Sequence, residues 1–276
     1  MSIRRGFVAI AEGQVHYREA GWQHGGVPLV MLHASPGSAK GLEPMLAAFG
    51  QHRHVLAPDT LGNGDSCAPA GGAPPMAYYA EALGRALAAL GLARFDLYGS
   101  HTGANIAVEL AIAAPGQVRR LILDGVSLYS AAERADMLAH HAPAIAIDQS
   151  GSQLNWVWHF VRDAYLFWPW YRRGAENRRG VGLPSADELH DKVVEVLKAA
   201  RSYHLPYQAA LAYDKEVRLP LVPVPTLLAC AGTDMLMEYF ERVRALLPAG
   251  TETVVTPGGG ARLGETVALL AAFLDR

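Results

Sequence analysis

The stretch Gly99-Ser100-His101-Thr102-Gly103 carries the strongest chemical signal in this chain. It follows the run Phe95-Asp96-Leu97-Tyr98, which predicts a buried strand. It precedes Ala104-Asn105-Ile106-Ala107-Val108-Glu109-Leu110, whose small and apolar residues predict a helix. A strand that turns into a helix through two flanking glycines has the frame of a nucleophile elbow. The glycines leave room for a central residue in strained backbone geometry, its side chain aimed at a substrate. Ser ordinarily holds the centre, and sometimes Cys or Asp; here it is His101. Centring the frame on Ser100 would lose the spacing to both glycines. A neutral imidazole needs no partner base, since it is itself a nucleophile and a general base near its unperturbed pKa of ~6.5. At the start of a helix the positive end of the dipole disfavours imidazolium, so His101 is expected to be neutral at pH 7.

Such a residue needs a scaffold, and the surrounding segments predict one. Val27 to Leu32 is a continuous apolar run, as for a strand covered on both faces, and leads into His33-Ala34-Ser35-Pro36-Gly37. A further fragment runs from Arg53 to Pro58 and on through Asp59-Thr60-Leu61-Gly62-Asn63-Gly64-Asp65-Ser66. Val224 to Ala231 leads to Gly232-Thr233-Asp234. Helical patterns cover Leu42–Phe49, Met76–Leu90, Leu236–Leu247 and Glu265–Leu274, and Glu252–Val255 reads as the last strand. Phe7–Ile10 and Gln14–Arg18 read as a hairpin around Gly13. Alternating strands and helices predict an α/β protein with a mostly parallel sheet flanked by helices.

These four fragments in this order resemble the α/β-hydrolase superfamily over nearly the whole chain. The resemblance implies an α/β-hydrolase fold with a helical cap inserted after the sixth strand, the core spanning 1–128 and 214–276 and the cap 129–213. It also implies an active site of Ser, His and Asp, in which the His activates the Ser hydroxyl and backbone N–H groups stabilise an oxyanion. The departures are as informative as the matches. The family's His lies between the last strand and the last helix, where this chain has Thr256 to Gly264 and no histidine. Nucleophile and base are thus both absent from their usual places, and the standard mechanism is excluded. What remains is Asp234 at the position of the acid, with Asp124 at the alternative acid position better read as a turn or capping residue. The backbone N–H groups of Ala34 or Ser35 and of Thr102 remain as the oxyanion hole. Ala34 stands where the family's loop has Gly.

Between about Tyr129 and Tyr213 no strand pattern occurs and aromatic residues concentrate. Four of the five tryptophans, Trp156, Trp158, Trp168 and Trp170, fall there. A cap must roof the pocket, so Trp156 and Trp168, with His159 among them and His33 on the oxyanion loop, are candidates for lining it. For each aromatic residue the competing reading is packing of the cap, and for His33 a structural hydrogen bond. Large rings favour a small, largely apolar or aromatic substrate.

The chain has 276 residues, 51% of them hydrophobic, and a formal net charge of −2. A core of that size is within reach of a single domain. No apolar run approaches the ~20 residues of a membrane span. Scattered basic residues give no footprint for nucleic acid. Met1-Ser2-Ile3-Arg4-Arg5-Gly6 lacks the apolar segment of a secretory signal, and two cysteines make no disulfide framework or zinc site, which points to the cytoplasm. No histidine pair has the helical spacing to a Glu that a metal site requires, and no cofactor is expected. A homodimer is compatible with the sequence. Two functions follow. One is a cofactor-independent enzyme centred on His101, with hydrolysis, proton abstraction, C–C cleavage or isomerisation all open to it. The other is a catalytically silent ligand-binding or scaffold protein. Serine hydrolysis through Ser100 needs two further rearrangements and is set aside.

Overall fold

The computed structural model describes residues 2–276. Eight strands form one sheet: β1 (Arg4–Ile10), β2 (Gly13–Ala20), β3 (Leu29–Leu32), β4 (Val55–Pro58), β5 (Phe95–Ser100), β6 (Val118–Asp124), β7 (Thr226–Ala231) and β8 (Glu252–Thr256). Their spatial order is β1-β2-β4-β3-β5-β6-β7-β8. Only β2 runs antiparallel to its neighbours; β3 to β8 are parallel. Every residue of β3 and β4 is buried, which is why those segments read as continuous apolar runs rather than alternating ones.

Helices cover both faces. On one, α1 (Glu43–Phe49) and α10 (Leu263–Leu274) bury Leu46, Phe49, Leu270 and Phe273 against β3, β4 and β7. On the other lie α2 (Met76–Ala89), α3 (Thr102–Ala113) and, further along, α9 (Phe240–Leu246). Between β6 and β7 the chain leaves the sheet for α4 (Ala131–His140), α5 (Ser152–Leu166), α6 (Ala186–Lys198) and α7 (His204–Ala212), and returns to the core through the short α8 (Lys215–Arg218). This helical cap, inserted after the sixth strand, has an apolar cluster of its own built on Val157, Phe160, Trp170, Val196 and Tyr203. Its helices α4 and α6 start at capping boxes, Ser130 with Glu133 and Ser185 with Glu188.

The sheet brings the chemistry together. Strand order reverses between β3 and β5, the place where open parallel sheets bind ligands beyond their carboxyl ends. In register, Ser100 faces Asp124 and Asp124 faces Ala229. The loops that follow β3, β5, β6 and β7 therefore emerge side by side.

Candidate active site

His101 is the only described residue other than glycine with positive φ, at φ 51° and ψ −109°. Such a conformation costs of order 1–3 kcal/mol and persists where the surroundings impose it. Here both elbow glycines impose it sterically. A Cβ on Gly99 would lie 2.4 Å from the Gly103 carbonyl oxygen. A Cβ on Gly103 would lie 2.5 Å from the carbonyl oxygen of Leu32. The two positions thus let β5 fold directly onto α3, and α3 onto the end of β3. The His101 N–H donates to the Asp124 carbonyl at 2.9 Å, tying the turn to β6.

The imidazole does not stop where a serine hydroxyl would. It reaches across to the acid, and its Nε2–H donates to Asp234 Oδ2 at 2.8 Å. Gly125 makes that reach possible. At φ 65° just after β6, it passes so close that a Cβ would lie 2.6 Å from Cδ2 and Nε2 of the ring. Asp234 is held in turn by the Leu236 N–H, at 2.8 Å. With Nε2 carrying the proton, Nδ1 keeps the lone pair. Among the described residues Nδ1 has no hydrogen-bond partner, and the side chain is 30% exposed.

Burial pushes the His101 pKa down, but the hydrogen bond and charge of Asp234, joined by the charge of Asp124, outweigh it and leave it above the ordinary 6.5. The direction expected from the helix terminus is therefore reversed: a carboxylate in contact outweighs partial charges at a helix end. Asp234 is the reciprocal case. Burial pushes its carboxyl up, yet the bond and charge of His101, the Leu236 N–H and the charge of Arg179 hold it below 3.8. Asp124 lies deeper, and its Oδ2 accepts from the Tyr98 hydroxyl at 2.6 Å. Burial raises its pKa, against that hydrogen bond and the charge of His101. No hydrogen bond joins it to the imidazole among the described residues.

The loop after β3 is pinned from three sides. Ala34 O accepts from the Gly37 N–H at 2.8 Å and from His33 Nδ1–H at 2.9 Å, while His33 Nε2 accepts from the Thr60 N–H at 2.8 Å. His33 is thus spent on the backbone. The N–H groups of Ala34, Ser35 and Thr102 donate to no acceptor among the described residues, and the buried Ser35 hydroxyl is likewise unpartnered. The loop between β8 and α10 passes beside Ala231 and Thr233 at Gly258. Its one charged side chain, Arg262, pairs with Glu265 at the surface.

Over His101 opens a cavity of about 210 Å³, between the loop after β3 and the cap. Ala34, Ser35, His101 and Trp168 line it, as do His141 and Tyr207. Three of the residues expected at the pocket are elsewhere. Trp156 stacks on Phe160 at 5.2 Å and meets Trp170 edge-on, inside the cap cluster. His159, three positions further along α5, does not reach the cavity, nor does His33. Only the three-dimensional path of the chain between α5 and α6 selects Trp168. Arg179 and Lys192 also line the cavity, and both escaped the sequence reading. A short basic cluster in an aromatic segment was the available signal, with Arg178 exposed and Arg179 turned inward.

The family model described as alpha/beta hydrolase fold matches residues 27–261. The chain is 38% identical over 104 residues to 2-hydroxymuconate semialdehyde hydrolase of Pseudomonas putida, a match covering 36% of this chain and 36% of that protein. Among solved structures, epoxide hydrolase A from Mycobacterium thermoresistibile superposes with a TM-score of 0.76 at 19% identity, covering 99% of this chain and 98% of that one. A hydrolase from Pseudomonas aeruginosa PA01 gives 0.73 at 22% identity, covering 99% of both. Identities this low speak for the fold alone. No described helix is long and apolar enough to cross a membrane. With most of its length matched by the family model and its sheet, elbow and cap in the family's order, the chain belongs to the alpha/beta hydrolase fold family.

Proposed function

We propose that the protein is an enzyme acting on a small, largely apolar or aromatic substrate by hydrolase- or lyase-type chemistry, with His101 as base or nucleophile and Asp234 as its orienting acid. One observation carries this reading: His101 Nε2 is bonded to Asp234 while Nδ1, unbonded, belongs to a side chain that lines an open cavity. In the family's usual arrangement, two residues divide the work of nucleophile and base. Here one imidazole spans the distance from elbow to acid. Neutral His101 takes a proton through Nδ1, from water or from a substrate C–H, and Asp234 stabilises the imidazolium. Negative charge developing on a substrate oxygen is met by the free N–H groups of Ala34, Ser35 and Thr102. A pKa above 6.5 suits a group that accepts a proton and then returns it to a leaving group.

An open cavity above His101 argues against the alternative of a silent binding or scaffold protein, for which a filled pocket is expected. Residues 1–128 and 214–276 form the core and 129–213 the cap in this reading, supported by the separate apolar cluster among 142–203. A reducing, cytoplasmic location is supported by Cys67 and Cys230 being free thiols.

The test is a panel of aryl esters and aryl ketones offered to the parent and to His101→Ala. Turnover by the parent and its loss in the variant are expected; turnover retained by His101→Ala overturns the assignment. A fluorophosphonate probe should leave the parent unlabelled, because no base activates a serine. Rapid labelling of Ser100 would restore an ordinary serine hydrolase.

A further inference from the structure

The ceiling of the cavity carries a polar pair that the chemistry at His101 does not use. His141, just after α4, and Tyr207, on α7, both line it. Their rings stack at 5.2 Å with 12° between planes, and His141 Nε2 lies 2.9 Å from the Tyr207 hydroxyl oxygen. His141 is 3% exposed. Its carbonyl accepts from Trp170 Nε1–H at 2.9 Å, and its ring meets Trp168 and Tyr171 edge to face. Its Nδ1 is buried without any hydrogen-bond partner, and the Tyr207 hydroxyl bonds to nothing but His141 among the described residues.

Those facts decide between two tautomers. If Nδ1 carried the proton, an N–H donor would be buried unpaired, at a cost of about 1–3 kcal/mol. If Nε2 carries it, the buried Nδ1 keeps only an orphaned lone pair, which proteins tolerate more readily than an orphaned N–H, and the unpaired donor becomes the hydroxyl of Tyr207, whose side chain lines the cavity. Nε2–H then donates to the Tyr207 oxygen, and the Tyr207 O–H proton has no protein acceptor. We propose that Tyr207, oriented by His141, is a specificity-determining donor that binds a carbonyl-type oxygen of the ligand at the cap end of the cavity, away from His101. The inference rests on the cavity being the substrate site and adds to an apolar substrate one acceptor oxygen remote from the reacting atoms. The groups facing the pair do not disturb it. Burial lowers the His141 pKa to about 3, against the charge of Asp136, and raises that of Tyr207, so both rings stay neutral. The Asp136 carboxylate is itself taken by Tyr171 and Arg172.

The test needs no natural substrate. In ring-15N-histidine-labelled protein, long-range 1H–15N correlations read the tautomer of His141, assigned by comparison with His141→Gln. The expected pattern is a pyrrole-type Nε2 and a pyridine-type Nδ1. For the ligand, acetophenone is titrated against cumene, which has nearly the same shape and no acceptor. Tyr207→Phe should weaken acetophenone binding roughly 3- to 10-fold and leave cumene binding unchanged. A protonated Nδ1, equal weakening of both probes, or no binding of acetophenone by the parent would overturn the proposal. The tautomer is measured on the parent, so it stands even if Tyr207→Phe fails to fold. Turnover by His101→Ala bears on the catalytic reading and leaves these outcomes untouched.

Discussion

Two histidine–aspartate pairs in this molecule have the same bond length and opposite surroundings. His16 Nδ1–H donates to Asp59 Oδ2 at 2.8 Å, as His101 Nε2–H does to Asp234. The side chains of the first pair are each 1% exposed, those of the second 30% and 18%. Every other valence of the first is filled. His16 Nε2 accepts from Arg5 Nε–H at 3.1 Å, and Asp59 also accepts from the N–H groups of Ala39 and Asp65. Asp65, whose carboxylate with His16 and Asp59 makes the one group of potential metal ligands among the described residues, is paired with Arg5 and Lys198. That network ties the β1–β2 hairpin to the loop after β4. The His101 pair instead keeps one nitrogen unbonded beside a cavity, on strained backbone. A histidine–aspartate bond is thus not in itself a catalytic feature; an unfilled valence facing open space is what distinguishes one.

The comparison breaks or sharpens under mutation. The largest expected effect is on turnover: His101→Ala should lower kcat by about 10²–10⁴-fold, with the melting temperature near the parent's. His101→Ser should not rescue it, since no histidine follows β8 to activate the hydroxyl. His16→Ala should do the reverse. It removes one of the three donors that hold the buried Asp59 carboxylate and should cost about 1.5–3 kcal/mol in urea unfolding, with kcat of the folded fraction retained. If both variants lost activity and stability together, the distinction between the pairs would collapse.

Gly125→Ala is next. The added Cβ would overlap the His101 ring, so kcat should fall about 10²-fold from misplacement alone. The positive φ at this position adds about 1–2 kcal/mol of destabilisation, readable in the same unfolding experiment.

The smallest effects are titrations. With neutral His101 as the reacting form, the rate should rise with pH through an inflection above 6.5. In Asp234→Asn burial is less opposed, and the inflection should fall. Stability has the opposite sign. His101, with a raised pKa, contributes stability below its unfolded value of 6.5 and loses it as pH rises through the folded one. Asp234, with a lowered pKa, contributes above 3.8 and loses it as pH falls further. The stability difference between parent and Asp234→Asn should therefore be widest between these limits. A difference flat across pH 4–8 would show the pair to be uncharged.

The sequence by itself determined what depends on near neighbours. The strand, turn and helix around His101 were legible because Gly99, His101 and Gly103 constrain one another within five positions. The sheet was legible because β3 to β8 alternate with helical patterns and the central strands β3 and β4 are buried throughout. His33 was legible as a backbone anchor from its place in the loop. Tertiary structure decided what depends on distance through space. Whether Asp234, 133 positions from His101, touches the imidazole fixes the direction of its pKa, and the helix end alone pointed the wrong way. The room for the ring comes from Gly125, just after another strand. Trp168 reaches the cavity and Trp156 does not, though both sit in one aromatic run, because the cap's own core claims one of them. The pairing of His141 with Tyr207 joins positions 66 apart on different helices. Local patterns specify backbone shape through short-range sterics, whereas charge, hydrogen-bond partners and open space are set by which elements the packed fold brings into contact.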